Sequence, residues 1–121
     1  MKSYRDLEVW QLSMDLVDEI YRLTRGFPDE ERYGLSSQMR RAAVSIPSNL
    51  AEGYGRNTRK EYRRHAGIAN GSLRELETQL IIAGRQAFCS RESADPAWNL
   101  IQSIGKMLRA LMSALADAPQ S

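Results

Sequence analysis

Gln38-Met-Arg-Arg-Ala-Ala-Val-Ser-Ile-Pro-Ser-Asn-Leu-Ala-Glu-Gly53 is the stretch whose reading decides the fold. With Leu35 just before it, Met39, Ala42, Ile46 and Leu50 step 4, 3, 4, 4 along one helix face. Pro47 removes the backbone hydrogen bond to the Ala43 carbonyl and crowds that turn. The apolar period survives across it, so the prediction is one helix over about Leu35 to Gly53, kinked at Pro47 rather than broken into two. Ser45, or a water, is the expected partner of the freed carbonyl. Serine and asparagine disfavour a helix interior unless they serve close packing or a polar contact. Ser45, Ser48, Asn49 and Glu52 therefore read as a structural polar network beside Leu50, since Asn can fix register in a helical seam. A ligand or partner site is the sharper alternative.

Working outward, the segment from about Asp6 to Arg25 carries two apolar stripes. One is Leu7, Trp10, Met14, Val17, Tyr21 and the other Val9, Leu12, Leu16, Ile20, Leu23. Together they exceed what one seam buries, so this helix is expected to touch more than one partner. Gly26-Phe27-Pro28 ends it, and one short turn is expected at Asp29–Arg32. Downstream, Tyr54-Gly55-Arg56-Asn57 reads as a turn, and Thr58 with Glu61 predicts a capping box. Tyr62, Ala66, Ala69, Leu73, Leu76, Leu80, Ala83 and Ala87 then step by 4 and 3. Ala66, Ala69, Gly71 and Ser72 keep this helix thin, predicting close approach to Ala42, Ala43, Ser45 and Ser48. Ser90 to Asp95 reads as a polar loop, with Asp95 capping the last helix and Pro96 its first residue. Ala97, Ile101, Ile104, Leu108, Leu111 and Leu115 form its stripe, and Ala118–Ser121 reads as a frayed tail. Four long helices, about 6–25, 35–53, 58–88 and 96–117, joined by short loops predict an all-α, antiparallel up-down-up-down four-helix bundle, one domain over residues 1–121.

The chain has 121 residues, 42% hydrophobic and 26% charged, a globular composition. Its lone cysteine, Cys89, excludes a disulfide framework and reads as a small hydrophobe rather than a nucleophile. No apolar run approaches the roughly 20 residues that span a bilayer, and the N-terminus lacks the apolar stretch of a signal peptide. A cytoplasmic protein without a membrane partner is expected. No phosphate loop, paired-histidine metal spacing or serine elbow is visible, so neither cofactor nor metal is expected. Net charge is +2, but residues 1–31 carry −4, residues 32–64 carry +6 and the remainder is neutral. Of the 17 basic residues 14 are arginine, whose fork suits phosphate, which makes RNA or DNA a candidate partner. The other reading is a solvated face salt-bridged to a neighbour.

Asp6-Leu7, Val9-Trp10 and Tyr21 form an opening pattern, and Phe27-Pro28, Glu31 and Tyr33-Gly34-Leu35 mark the first connection. Gln38, Arg40-Arg41-Ala42, Ser45-Ile46-Pro47-Ser48-Asn49 and Ala51-Glu52-Gly53 make the most distinctive motif. Ile68-Ala69, Gly71-Ser72-Leu73 and Glu75-Leu76-Glu77-Thr78-Gln79-Leu80 follow in the third helix. In these residues the chain resembles the small bacterial four-helix-bundle proteins encoded in intervening sequences of large-subunit ribosomal RNA genes, relatives of which serve as accessory proteins of diversity-generating retroelements. His65 departs from a usual apolar residue, and Asn70 from a frequent basic one, which weakens a phosphate contact there. The resemblance implies a cyclic homopentamer with a central channel, and for the retroelement relatives, binding of reverse transcriptase and nucleic acid through a basic surface.

Candidate phosphate contacts are Arg40, Arg56, Arg59, Lys60, Arg63 and Arg64. Arg41 is a further candidate, but is expected instead to pair with Glu75 or Glu77 and fix register. Tyr4, Trp10 and Tyr21 are expected at or near the interface between copies, with the protomer core as the alternative for Trp10. A ribonuclease reading rests on Arg59 and His65, whose spacing resembles that of HEPN-type ribonucleases. There histidine would act as general base and arginine would stabilise phosphate. Against it, His65 is expected at a helix flank, partly exposed. The best reading is a non-enzymatic oligomeric bundle that scaffolds nucleic acid or a nucleic-acid enzyme. Structural self-assembly alone is the second.

Overall fold

A computed structural model describes residues 2–116, in which four long helices and no strand occur. The predicted tail Ala118–Ser121 and the last predicted helical position, 117, lie outside the described residues. The helices are α1 (Glu8–Thr24), α2 (Leu35–Tyr54), α3 (Arg59–Arg85) and α4 (Arg91–Leu115). Each packs closely on its two neighbours in the order α1, α2, α3, α4 and back to α1, and among the described residues the backbones of diagonal helices do not approach. Short connections make neighbours antiparallel, which gives the expected up-down-up-down bundle.

One stripe of each helix fills the centre. Leu16 and Ile20 of α1, Met39, Ile46 and Leu50 of α2, Leu73 and Leu76 of α3, and Ile101, Ile104 and Leu108 of α4 are fully buried. On α1 the Val9–Leu23 stripe faces this core. The Leu7–Tyr21 stripe lies outside it, with Leu7, Trp10 and Val17 half-buried and Met14 and Tyr21 exposed.

Several helix ends depart from expectation. Instead of entering α1 at Asp6, the chain makes a 3-10 turn, Tyr4–Asp6, held by a Ser3/Asp6 capping box. Leu7 is then extended, and α1 starts at Glu8. Thr58 does cap α3, accepting from the Glu61 amide at 3.1 Å. The Glu61 carboxylate, however, pairs with Arg64 at 3.2 Å, so only half of the box forms. At the other end α4 starts five residues earlier than expected. Ser90, not Asp95, is its cap, accepting from the Ser93 amide at 3.0 Å. Pro96 thus sits inside the helix, where its missing N–H leaves only the exposed Glu92 turn without a bond. Between α3 and α4 the chain turns through Ala87 at φ 60°, with Phe88 N–H to Ala83 C=O at 2.9 Å and Ala87 N–H to Gly84 C=O at 3.0 Å. This is a Schellman cap with alanine where glycine is usual, and it swings Phe88 onto Phe27. Left-handed backbone costs alanine about 1 kcal/mol, so Ala87→Gly is expected to raise stability by roughly that amount, about 4 °C in a thermal melt.

α2 is continuous through Pro47, which is buried. Ser45 does not turn back to the Ala43 carbonyl. Its hydroxyl instead meets Ser72 on α3 at 2.9 Å. The small residues also divide differently from the prediction: Ala42, Ala43, Ala66 and Ala69 are buried, whereas Ser48 and Gly71 face solvent. The glycine that permits close approach is Gly53, where an added Cβ would lie 2.7 Å from His65 Cβ.

Candidate functional site

Ser45 and Asn49 of α2 enter a hydrogen-bonded network, and its hub is a residue assigned elsewhere from sequence. His65 is buried, 3% exposed, not at a partly open flank. Its Nδ1 lies 3.1 Å from Asn49 Oδ1, and Nε2 lies 3.4 Å from Arg64 Nη2. An amide oxygen only accepts and a guanidinium only donates, so the neutral ring carries its proton on Nδ1. Asn49 Nδ2 in turn donates to Ser45 O at 2.9 Å and Ser45 Oγ at 3.1 Å, and Ser45 reaches Ser72. The chain Ser72–Ser45–Asn49–His65 thus stitches α2 to α3 along one seam. Glu52 borders it at 3.9 Å from His65 and pairs with Arg56 at 2.6 Å. Ser48 is exposed and takes no part. The signal for His65 was present in the sequence: sixteen residues of antiparallel hairpin bring it beside Asn49, and Gly53 clears the space.

Arg41 is exposed and makes no ion pair among the described residues, contrary to the expected contact with Glu75 or Glu77. It flanks the same α2–α3 groove as Glu75, but the groove keeps them apart. Glu77 is claimed by α3 and α4 instead, accepting from Arg74 at 2.9 Å and from Gln102 at 2.8 Å.

The arginines at the turn into α3 have local anchors. Arg59 donates to Ala114 C=O and Arg63 to Met112 C=O, the latter at 3.1 Å. Both close the C-terminal end of α4, where open carbonyls and the helix dipole favour cations. With Arg56 on Glu52 and Arg64 on Glu61 and His65, four of the five cations here have protein partners, and Lys60 has none among the described residues. The cluster remains exposed, with five cations against Glu52 and Glu61. Arg40 lies apart, near the other end of the bundle. Its Nε donates to Thr24 at 2.8 Å and its guanidinium lies 4.7 Å over the Tyr21 ring, a clamp between α1 and α2. Tyr4 and Trp10 contact each other edge to face at 5.4 Å, and Trp10 packs on the core, so these two aromatics begin as an internal pair.

The Arg59/His65 pair does not converge. Six residues place them about 120° apart around α3. Arg59 faces the end of α4, while the histidine nitrogens face Asn49 and Arg64. A base must reach its proton by a hydrogen bond or through one water, and His65 is sealed from both. Burial pushes the Cys89 thiol up, away from the reactive thiolate. Among the described residues no His, Cys, Asp and Glu group is placed to hold a metal, and no helix is long and apolar enough to cross a membrane.

A family model described as 23S rRNA-intervening sequence protein matches residues 5–110. Among solved structures, a protein of unknown function from the S23 ribosomal protein family of Bacteroides thetaiotaomicron superposes with a TM-score of 0.80 at 23% identity, covering 86% of this chain and 97% of that one. No curated protein matches the chain. None of these similarities indicates an enzyme family.

Proposed function

The chain belongs to the 23S rRNA-intervening sequence protein family, and on that premise we propose that it is a non-enzymatic, ring-forming bundle, a homopentamer, that holds nucleic acid or a nucleic-acid enzyme such as a reverse transcriptase on its basic end. The observation that carries this reading is apolar surface left uncovered on two different sides of one protomer. On one side Tyr21, Tyr33 and Val44 share a groove of about 590 Å³, with Tyr33 90% exposed. On the other, Ile68 and Ile82 stand exposed about 40° apart on one face of α3, and Ile81 is exposed on its α4 flank. Two unlike patches joined head to tail close a ring, whereas a single self-complementary patch makes a dimer. Tyr21 lies in the first patch. Trp10, eleven residues earlier on the outer stripe of α1, and Tyr4 against it are the further residues we propose for contact between copies.

A ring repeats the Arg56–Arg64 cluster once per subunit. The anchored arginines use one or two donors inside the protomer and retain others facing out, so they would meet backbone phosphate without reading sequence. Binding of a fluorescent single-stranded RNA is expected to fall steeply with salt, about tenfold or more between 50 and 200 mM. Salt-independent retention, or no binding at low salt, contradicts it. The second reading, self-assembly without nucleic acid, is favoured by those same anchors, which give Arg59 and Arg63 a sufficient structural role at the end of α4.

A further inference from the structure

Where α1 hands over to α2, at the end of the bundle away from the Arg56–Arg64 cluster, a cavity of about 210 Å³ opens. It is lined by Arg25, Arg32 and Arg40 with the hydroxyl-bearing Thr24 and Ser36, and Asp29 is its one carboxylate. Three guanidiniums against one carboxylate leave it cationic. Its floor is set in advance. Arg40 is held by Thr24 and the Tyr21 ring, and its remaining N–H groups have no acceptor among the described residues. Ser36 is 5% exposed, yet its hydroxyl has no hydrogen-bond partner among the described residues. The side chain is almost wholly buried and its hydroxyl opens only onto the cavity it lines, where no protein group meets it.

The same place is the start of α2, whose N-cap is Gly34, a residue with no side chain to close the first turn. Glu31 takes the Leu35 amide at 3.2 Å. The Ser36 and Ser37 amides have no acceptor among the described residues. The Glu31 carboxylate already meets part of this helix end's preference for an anion, and the two open amides leave room for a second acceptor group. An unpartnered hydroxyl and guanidinium forks narrow that to an oxyanion with several acceptor oxygens.

We propose that this cavity is a phosphate site, with Ser36 and the first amides of α2 holding the oxygens and Arg25, Arg32 and Arg40 balancing the charge. It is separate from the Arg56–Arg64 cluster, since α2 sets it apart from Arg56 by about 30 Å at 1.5 Å per residue. The phosphate is either a monoester, as on a nucleotide, or a diester of a nucleic-acid backbone.

The test is a titration of the full chain followed at the Ser36 and Ser37 amides by two-dimensional NMR. One arm uses inorganic phosphate and the other a dinucleoside monophosphate, which carries only a diester. Saturable shifts of both amides are expected with phosphate. Ser36→Ala and Arg32→Gln should each weaken binding about tenfold, the loss typical of a charge-assisted contact. Arg64→Gln, at the far end, should leave it unchanged. A response to both compounds assigns the site to a nucleic-acid backbone, and a response to phosphate alone assigns it to a monoester. No saturable shift in either arm, or shifts that persist unchanged in Ser36→Ala and Arg32→Gln, overturns the proposal.

Discussion

Gly53→Ala is expected to destabilise the protein by about 2 kcal/mol, although alanine is the better helix former by about 1 kcal/mol. The added methyl would sit 2.7 Å from His65 Cβ, 3.1 Å from Tyr62 Cδ1 and 3.3 Å from the Tyr62 carbonyl oxygen. None of these is the loose end of a long side chain, so relief requires α2 and α3 to move apart. That movement lengthens the 3.1 Å contact between Asn49 and His65, and overpacking is compounded by a weakened buried hydrogen bond. Gly71→Ala supplies the control. Nothing lies within 4 Å of its Cβ position, so only the helix-propensity gain acts and the change is expected to stabilise by about 1 kcal/mol. Urea unfolding midpoints should therefore move in opposite directions for two identical substitutions.

Asn49→Ala is the second large effect, an expected loss of about 2 kcal/mol. Asn49 is the sole acceptor within hydrogen-bond distance of His65 Nδ1 among the described residues, and the ring is buried. Removing the amide leaves that N–H without a partner in a low-dielectric seam, the costly direction of hydrogen-bond deletion. Glu52, at 3.9 Å, is too distant to replace it without moving. Removing the ring as well, in Asn49→Ala with His65→Leu, removes the orphaned donor. The double variant should then be more stable than the sum of the single losses by about 1 kcal/mol. Denaturant unfolding of the four proteins measures this coupling, and strict additivity would show that the contact carries no energy.

The bundle was readable because its signals are long-range repeats. The stripes Met39–Leu50, Ala66–Ala83 and Ala97–Leu108 are buried along their lengths, and a period sustained over several turns survives single exceptions such as Pro47. Helix ends were less legible because caps depend on competing local choices. Ser90 and Asp95 are both good caps, and the earlier one adds more than a turn to α4. Side-chain partnerships were least legible. Arg41, Glu75 and Glu77 have suitable charges, but Gln102 and Arg74 reach Glu77 first. His65 lies in an arginine-rich run that suggested exposure, and only its position opposite Asn49 and Gly53 reveals it as buried. Likewise the basic block reads as free charge in sequence, while in the fold Arg59 and Arg63 close the end of α4.

Two apolar stripes on α1 led from the sequence to self-association. In the fold the inner stripe is consumed by the core, and part of the outer one remains exposed beside Tyr33 and Val44. Sedimentation equilibrium of the purified chain at micromolar concentration measures whether copies cover that surface. A single species at five times the 13.7 kDa protomer mass is the expected result. A stable monomer at the same concentration would contradict it and remove the ring on which the basic platform depends.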